Sequence, residues 1–291
     1  MTDQNIPVKG YLNEDYRVFH NSDSLGTDVG VHLHTFFKLT LVKEGKGTYM
    51  IDGNIYNIRP YDVILVPRHV PHKPGFAAGE MYDRYIFYMS SDMLGSFDSD
   101  DQILSDIFSG SASPVLHLNK KTAAPILSAA DAVYKESRSD AYASSLSARL
   151  GTIRLLIEIE RCRKNADPAT PSRNSENEKM LRILHYINEN ISEALPISLL
   201  SEQFFISRYH LMRLFKETFG FSIHEYITER RLLLADEQLR SGKEPVKVCY
   251  DCGFGSYSAF ARAYRTRFGI SPGKAGNSSI SKDLFTVSLS E

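Results

Sequence analysis

From Val29 to about Met89, apolar and polar positions alternate in short runs, which is the period of strands with one buried face. The runs are VGVHLH, FFKLTLVKEG, GTYMIDG, NIYNI, DVILVP and YDRYIFYM. Gly45-Lys46-Gly47 and Asp52-Gly53-Asn54 interrupt them, the second as an Asp-Gly hairpin turn between strand formers. Many short strands at this spacing predict a barrel or jelly roll. Between Lys121 and Lys164 the period becomes helical, with Ile126, Leu127, Ala130, Val133 and Tyr134 on one stripe and Leu146, Leu150, Ile153 and Ile157 on another. Residues 165–177 are polar, hold two prolines and show no period, so they are expected to link two domains. Helical patterning then continues to about Lys274. The expected organisation is therefore an all-β barrel in residues 1–118, a helical pair in 119–164, a linker in 165–177, an all-α domain in 178–275 and a tail in 276–291.

The all-α part contains a duplication. Leu211-Met212-Arg213-Leu214-Phe215-Lys216-Glu217-Thr218-Phe219-Gly220-Phe221-Ser222 recurs 49 positions later as Phe260 to Ser271. Apolar residues at 211, 215 and 219, matched by 260, 264 and 268, fall on one buried helix face. The glycine that closes each copy suits a left-handed helix cap. Arg213 and Lys216, repeated as Arg262 and Arg265, lie between the core positions and must point away from them, and Arg208 adds to the first copy. A short helix precedes each copy, Ser198 to Phe204 and Val246 to Cys252, and Ser207 and Ser256 stand where N-caps are expected. Ser201 and Cys249 are small residues placed where two helices would cross closely. Each unit is thus a helix-turn-helix, whose second helix enters the major groove, and two units about 34 Å apart would read successive grooves on one face of DNA. The helical run from His224 to Ser241 would span roughly 27 Å and makes a suitable spacer.

Composition adjusts this picture in three ways. The formal net charge of -1 is low for a DNA binder, but residues 176–275 hold 14 Lys/Arg against 12 Asp/Glu, so placement matters more than the sum. Three cysteines, Cys162, Cys249 and Cys252, are too few for a disulfide framework, and the Cys249-x-x-Cys252 pair has no second ligand pair for zinc, so both are expected as small buried residues. No secretion signal and no long apolar run appear, which leads to an expected cytoplasmic location with no membrane partner.

The repeat resembles the AraC/XylS family of transcription regulators over residues 179 to 274. The resemblance rests on S-x-Y-H-L-x-R-x-F-K-x-x-x-G-x-S from Ser207, R-R-L-x-x-A from Arg230 to Ala235, and C-G-F-x-x-Y-S-x-F-x-R-x-Y-R-x-x-F-G-x-S-P ending at Pro272. It implies base-facing positions at Tyr209, Met212 and Arg213 in the first unit and Tyr257, Ser258, Ala261 and Arg262 in the second. It also implies contact with RNA polymerase. Pro245 stands where the family has an aliphatic residue entering a helix, a place proline tolerates in a first turn.

The barrel segment resembles a cupin, through G-x5-H-x-H-x3-K-x6-G from Gly26 to Gly45 and P-x4-H from Pro67 to His72. In a regular strand His32, His34 and Lys38 would share one face. Metal-binding cupins carry Glu where this chain has Lys38, so an anionic ligand is replaced by a cation and neither metal nor other cofactor is expected. The four residues His32, His34, Lys38 and His72 are then the candidates for binding a small polar or anionic effector, such as a sugar. A three-histidine metal site and histidines satisfied by local hydrogen bonds are the alternatives.

The helices after the barrel are expected to form a homodimer contact, since two apolar stripes need covering. Together these features predict a ligand-responsive regulator acting on double-stranded DNA. A constitutive DNA binder is the nearest alternative. A metal-dependent cupin enzyme is opposed by Lys38 and by the absence of another convergent acid or histidine cluster, so no enzyme activity is expected.

Overall fold

The computed structural model describes residues 15–24, 31–77, 79–99, 103–109, 113–163, 166–171 and 175–277. The described residues fall into two compact units, one made mostly of residues up to 171 and the other of residues from 175 on, with His32 and Asp52–Asn54 grouped with the second. Gly26 of the cupin-like motif, and the expected tail beyond Asn277, lie outside the described residues.

The first unit is built from β1 (Tyr16–Asp23), β2 (Phe37–Glu44), β3 (Gly47–Ile51), β4 (Asn54–Ile58), β5 (Asp62–Val66), β6 (His72–Gly75), β7 (Tyr82–Met89), β8 (Val115–His117) and β9 (Asp167–Pro168). One sheet runs β1-β7-β2-β5-β8-β9 and the other β4-β3-β6. Asp52 and Gly53, both at positive φ, make the tight turn between β3 and β4. Helix α3 (Lys120–Glu136) and helix α4 (Ser144–Arg163) follow β8. The central strands are buried on both faces. Leu39, Leu41, Val63, Leu65 and Phe87 pack with Ile126, Val133, Leu155 and Leu156 of the two helices. On the other face Val42, Ile64 and Val66 meet Tyr49, Ile51, Tyr56 and Ile58 of the small sheet. Two-sided burial is why β2 and β5 read as continuous apolar runs.

Several local expectations change. Residues 31–36 form no strand, only a single bridge at His32 and a bend at Thr35 and Phe36. Leu33 and His34, and then Phe36 and Phe37, are buried as neighbours, which a strand with one buried face cannot arrange. Two short helices, α1 (Ser91–Gly95) and α2 (Asp106–Ser109), interrupt the unit, so it is β-rich rather than all β. β1 is an additional strand, paired with β7 from Tyr16↔Met89 to Asp23↔Tyr82 and pinned to α4 by the 2.6 Å contact of Tyr16 Oη with Thr152 Oγ1. The linker segment is structured in part. β9 pairs with β8, and Ala169 beside it is buried in the barrel core.

The second unit contains α5 (Ser175–Glu189), α6 (Ile197–Gln203), α7 (Arg208–Phe219), α8 (Ile223–Arg240), α9 (Pro245–Asp251), α10 (Tyr257–Phe268) and a closing 3-10 turn, Pro272–Asn277. Its core comes from the periodic positions of the duplication, with Leu211, Phe215, Phe219, Phe260 and Tyr264 all 0–1% exposed. Helix α8 starts on a capping box, Ser222 with Glu225, and α9 starts with Pro245 in its first turn under a Glu244 cap. The Arg231 guanidinium donates to the carbonyls of Ile191 and Glu193, tying α8 to the loop after α5. Gly253 packs on that same loop. It sits at φ +85°, and a Cβ there would lie 2.7 Å from the Ser192 carbonyl oxygen. Gly253→Ala is therefore expected to destabilise this unit by about 2 kcal/mol or more, from left-handed strain plus overlap with backbone. Urea unfolding of the two proteins checks this, and equal midpoints would contradict it.

Candidate nucleic-acid interface and effector barrel

The two helix-turn-helix units share one local design. In the first, the Ile206 amide donates to the Ser201 carbonyl at 3.0 Å, and in the second the Phe254 amide donates to the Cys249 carbonyl at 3.0 Å. The residue before each donor has positive φ, 48° at Phe205 and 85° at Gly253. These turn positions correspond at an offset of 48, one fewer than the helices they precede, because Gly255 lengthens the second turn by one residue. Ser201 and Cys249 are buried at the helix crossing, where a larger side chain would push the helices apart. Gly220 and Gly269 close α7 and α10 in the left-handed conformation, as the sequence predicts. The caps at the other end differ. The Ser207 hydroxyl accepts the His210 amide at 3.3 Å, whereas the Ser256 hydroxyl turns to Ser258 and makes no cap bond.

The side chains named from sequence lie on the faces of α7 and α10 turned away from the core. Arg208, Tyr209, Met212, Arg213 and Lys216 are exposed on α7, and Ser258, Arg262 and Arg265 on α10, with Tyr257 and Ala261 half-buried beside them. Tyr209 is 75% and Met212 45% exposed, large values for apolar side chains on a folded surface. Arg213 and Arg262 differ in their surroundings. Arg213 is held at 3.1 Å from Glu217 and 3.3 Å from His210 on its own helix. The matching positions beside Arg262 are Thr266 and Ala259, and among the described residues Arg262 makes no ion pair. Sequence reasoning passed over Arg267. It joins α10 to α8 through a buried two-pronged pair with Glu229, at 2.8 and 2.9 Å from Nε, and so fixes α10 on α8.

In the barrel, three of the four candidate residues come together. The His34 and His72 rings meet edge to face with centroids 4.6 Å apart, and Lys38 Nζ donates to His72 Nε2 at 3.5 Å. His34 Nδ1 lies 2.7 Å from the Phe36 carbonyl and His72 Nδ1 2.9 Å from that of Val70. Carbonyls only accept, so each ring carries its proton on Nδ1 and presents Nε2 as an acceptor. His32 does not follow by alternation, because β2 begins only at Phe37. Lys38 is 7% exposed and has no carboxylate partner among the described residues. Burial, with Arg84 repulsion added, brings its ammonium down from 10.5 to about 7. No group of three or more metal-ligating side chains is present among the described residues. Cys249 and Cys252 are both buried and free.

Known proteins match both units. The AraC-like ligand binding domain matches residues 20–152 and a helix-turn-helix domain matches residues 200–277. The regulatory protein SoxS of Salmonella typhimurium is 32% identical over 91 residues, which cover 31% of this chain and 85% of SoxS. The chain belongs to the AraC family of DNA-binding transcription regulators. The transcriptional activator RhaS of Mannheimia succiniciproducens is 24% identical over 242 residues, 83% of this chain and 87% of RhaS. The probable transcriptional regulator LumQ of Photobacterium leiognathi is 32% identical over 94 residues, which span 32% of this chain and only 38% of LumQ. The family resemblance read from the duplication is thus met by matches to both halves of the chain.

Within this AraC-family barrel Lys38 is an electrostatic liability that titration exposes. Well above pH 10.5 the amine is neutral whether the chain is folded or not, and adds no pH-dependent penalty. As pH falls toward 7 the unfolded chain takes up a proton that the folded barrel resists, so stability drops, and below about 7 the loss is complete. Lys38→Met should therefore raise the melting temperature of the first unit, by more at pH 6 than at pH 9. Calorimetry at the two pH values checks the sign, and an equal or larger gain at pH 9 would refute it.

Proposed function

We propose that this regulator reads promoter DNA through α7 and α10, with Arg213 and Arg262 making the principal base contacts. Arg208, Lys216 and Arg265 serve as phosphate contacts, and Tyr209, Met212, Tyr257, Ser258 and Ala261 fill the groove walls. The observation that carries this is the pairing of two exposed, basic helix faces on matched turns, with the same arginine position in each. Tyr209, Met212 and Ala261 are poor hydrogen-bond readers, so contact with thymine methyls and DNA shape supplement the arginines. On a mapped operator, Arg213→Ala and Arg262→Ala are each expected to weaken specific binding by about 1–3 kcal/mol and relax preference at one base position. Unchanged affinity in both variants would remove the groove assignment.

The sensing half of the proposal is a small polar effector held in the barrel by His34, Lys38 and His72. The helical pair supports a homodimer. On α4 the stripe read from sequence divides: Ile153 is buried, while Leu146, Leu150 and Ile157 are 55%, 49% and 36% exposed. Three apolar side chains on one exposed face call for a cover, and a second copy of the same helix offers one. The effector would then act by shifting the population of dimers able to engage both half-sites. Activation of transcription is proposed on likeness to RhaS, and contact with RNA polymerase in the cytoplasm on the resemblance of the helical repeat to its family. Leu146→Glu combined with Leu150→Glu is expected to convert a dimer to a monomer in sedimentation velocity without loss of helical signal. An unchanged sedimentation coefficient would show that α4 is not the contact.

A further inference from the structure

The inner face of the barrel beside the histidines is lined by the even-numbered side chains of β2 and β7. Lys38 pairs with Tyr88 and Thr40 with Ile86 across those strands, and all turn toward the small sheet. Tyr49 of β3 comes from the opposite side, with the Lys38 ammonium nitrogen 5.8 Å from its ring centre and its ring parallel to that of His72. Tyr49 and Thr40 are each 1% exposed, and among the described residues neither the Tyr49 hydroxyl nor Thr40 Oγ1 has a hydrogen-bond partner. Buried hydroxyls without partners cost about 1–3 kcal/mol each, so two in one cluster point to a group that satisfies them.

The polarity of the cluster selects that group. Both imidazoles present acceptor nitrogens, because their Nδ1 protons are committed to backbone carbonyls. Lone pairs repel a carboxylate or phosphate and favour hydroxyl donors. Lys38 has no counter-ion here, and the barrel resists its protonation. An anion would therefore face two acceptor nitrogens, whereas a neutral compound carrying hydroxyl groups and a carbonyl would meet acceptors, hydroxyls and a nucleophilic amine.

We propose that the barrel captures a neutral hydroxylated aldehyde or ketone as a reversible imine on Lys38. The inference rests on the effector role proposed for this cluster and names its chemistry. Lys38 Nζ adds to the carbonyl carbon, and one proton of that nitrogen passes to the former carbonyl oxygen to give a carbinolamine. Loss of the carbinolamine hydroxyl as water then forms the C=N bond, so amine plus carbonyl compound gives imine plus water with no change of oxidation state. His72 Nε2, already on the amine, takes the proton that nitrogen sheds and returns it to the departing hydroxyl. The Tyr49 and Thr40 hydroxyls bind the hydroxyl groups of the captured chain.

The test uses the full-length protein with glycolaldehyde as probe and cyanoborohydride to reduce any imine to a stable secondary amine, followed by peptide mapping. At pH 7 an ordinary lysine, with a pKa near 10.4, is neutral in only about one molecule in 2,500. Lys38 is expected to be labelled at least about tenfold faster than exposed Lys121 and Lys247, even after its lower basicity and its burial slow it. Lys38→Met should lose that fast adduct and keep the slow ones. Labelling of Lys38 no faster than the exposed lysines overturns the imine. Thermal shift with erythritol, a polyol lacking a carbonyl, separates the two proposals. Stabilisation of the wild-type protein by erythritol with no fast Lys38 adduct from glycolaldehyde would leave the effector role standing and remove the imine, whereas a fast adduct supports the imine.

Discussion

The second helix of each helix-turn-helix unit is set by the same backbone contact, the turn amide that donates to the carbonyl of Ser201 in one unit and of Cys249 in the other. The contact closes only if the residue before the donor adopts positive φ and the residue bearing the carbonyl is small enough to lie at the helix crossing. Glycine meets the first condition without cost at position 253. Phe205 meets it at 48° with its ring 92% exposed, so the first unit carries backbone strain that the second does not. The Lys179 ammonium donates to the Phe205 carbonyl at 3.3 Å and supports that strained turn from α5. The geometry of both reading helices therefore hangs on two short turns that reach the same shape by different residues.

The surrounding contacts keep those turns in place while leaving the reading faces open. Arg231 and Gly253 fix the α8 and second-turn backbones to one loop after α5, and the Arg267–Glu229 pair fixes α10 to α8. Buried pairs of this kind contribute little net stability, but removing one partner strands the other charge, which makes them good at enforcing a single arrangement. The exposed arginines are not equivalent. Arg213 is held by Glu217 and His210 on its own helix, while Arg262 makes no ion pair among the described residues. In the proposed groove contact Arg213 would exchange those partners for a base, which reduces its net gain and makes it more sensitive to the base offered, since a poor partner does not displace the intramolecular one.

Much of this was legible in the sequence, and the limits have physical causes. The duplication stood out because helical cores repeat every three or four residues and the glycine caps mark both ends. The inward face of β2 was harder to read, because Phe37 to Val42 are all buried and no alternation remains to say which side chains meet. Residues 29–34 alternate like a strand, yet the described part from 31 onward is bent, with Phe36 packed on Tyr88 at 4.4 Å. β1 went unseen because Tyr16–Asp23 shows only two fully buried positions and no turn residues that announce its pairing with a strand about 60 residues away. Lys38 and His72 are 34 residues apart, so only a fold-level resemblance could bring them together in advance.

The same two-sided burial that hid β2 explains how the barrel tolerates its lysine. A strand with one wet face would let a long side chain reach water, whereas Lys38 is enclosed by β5, β7 and the small sheet, with His72 and the Tyr49 ring beside its ammonium. The fold supplies apolar packing on the other face of the same strand, where Leu39 and Leu41 are at most 1% exposed against the helices. Burying a leucine side chain contributes roughly 1.5–3 kcal/mol, enough for these neighbours to offset much of the cost of one enclosed amine. The strand thus holds an enclosed amine on one face with stability drawn from the other, and loss of packing at the helices would be felt in the Lys38–His72 cluster.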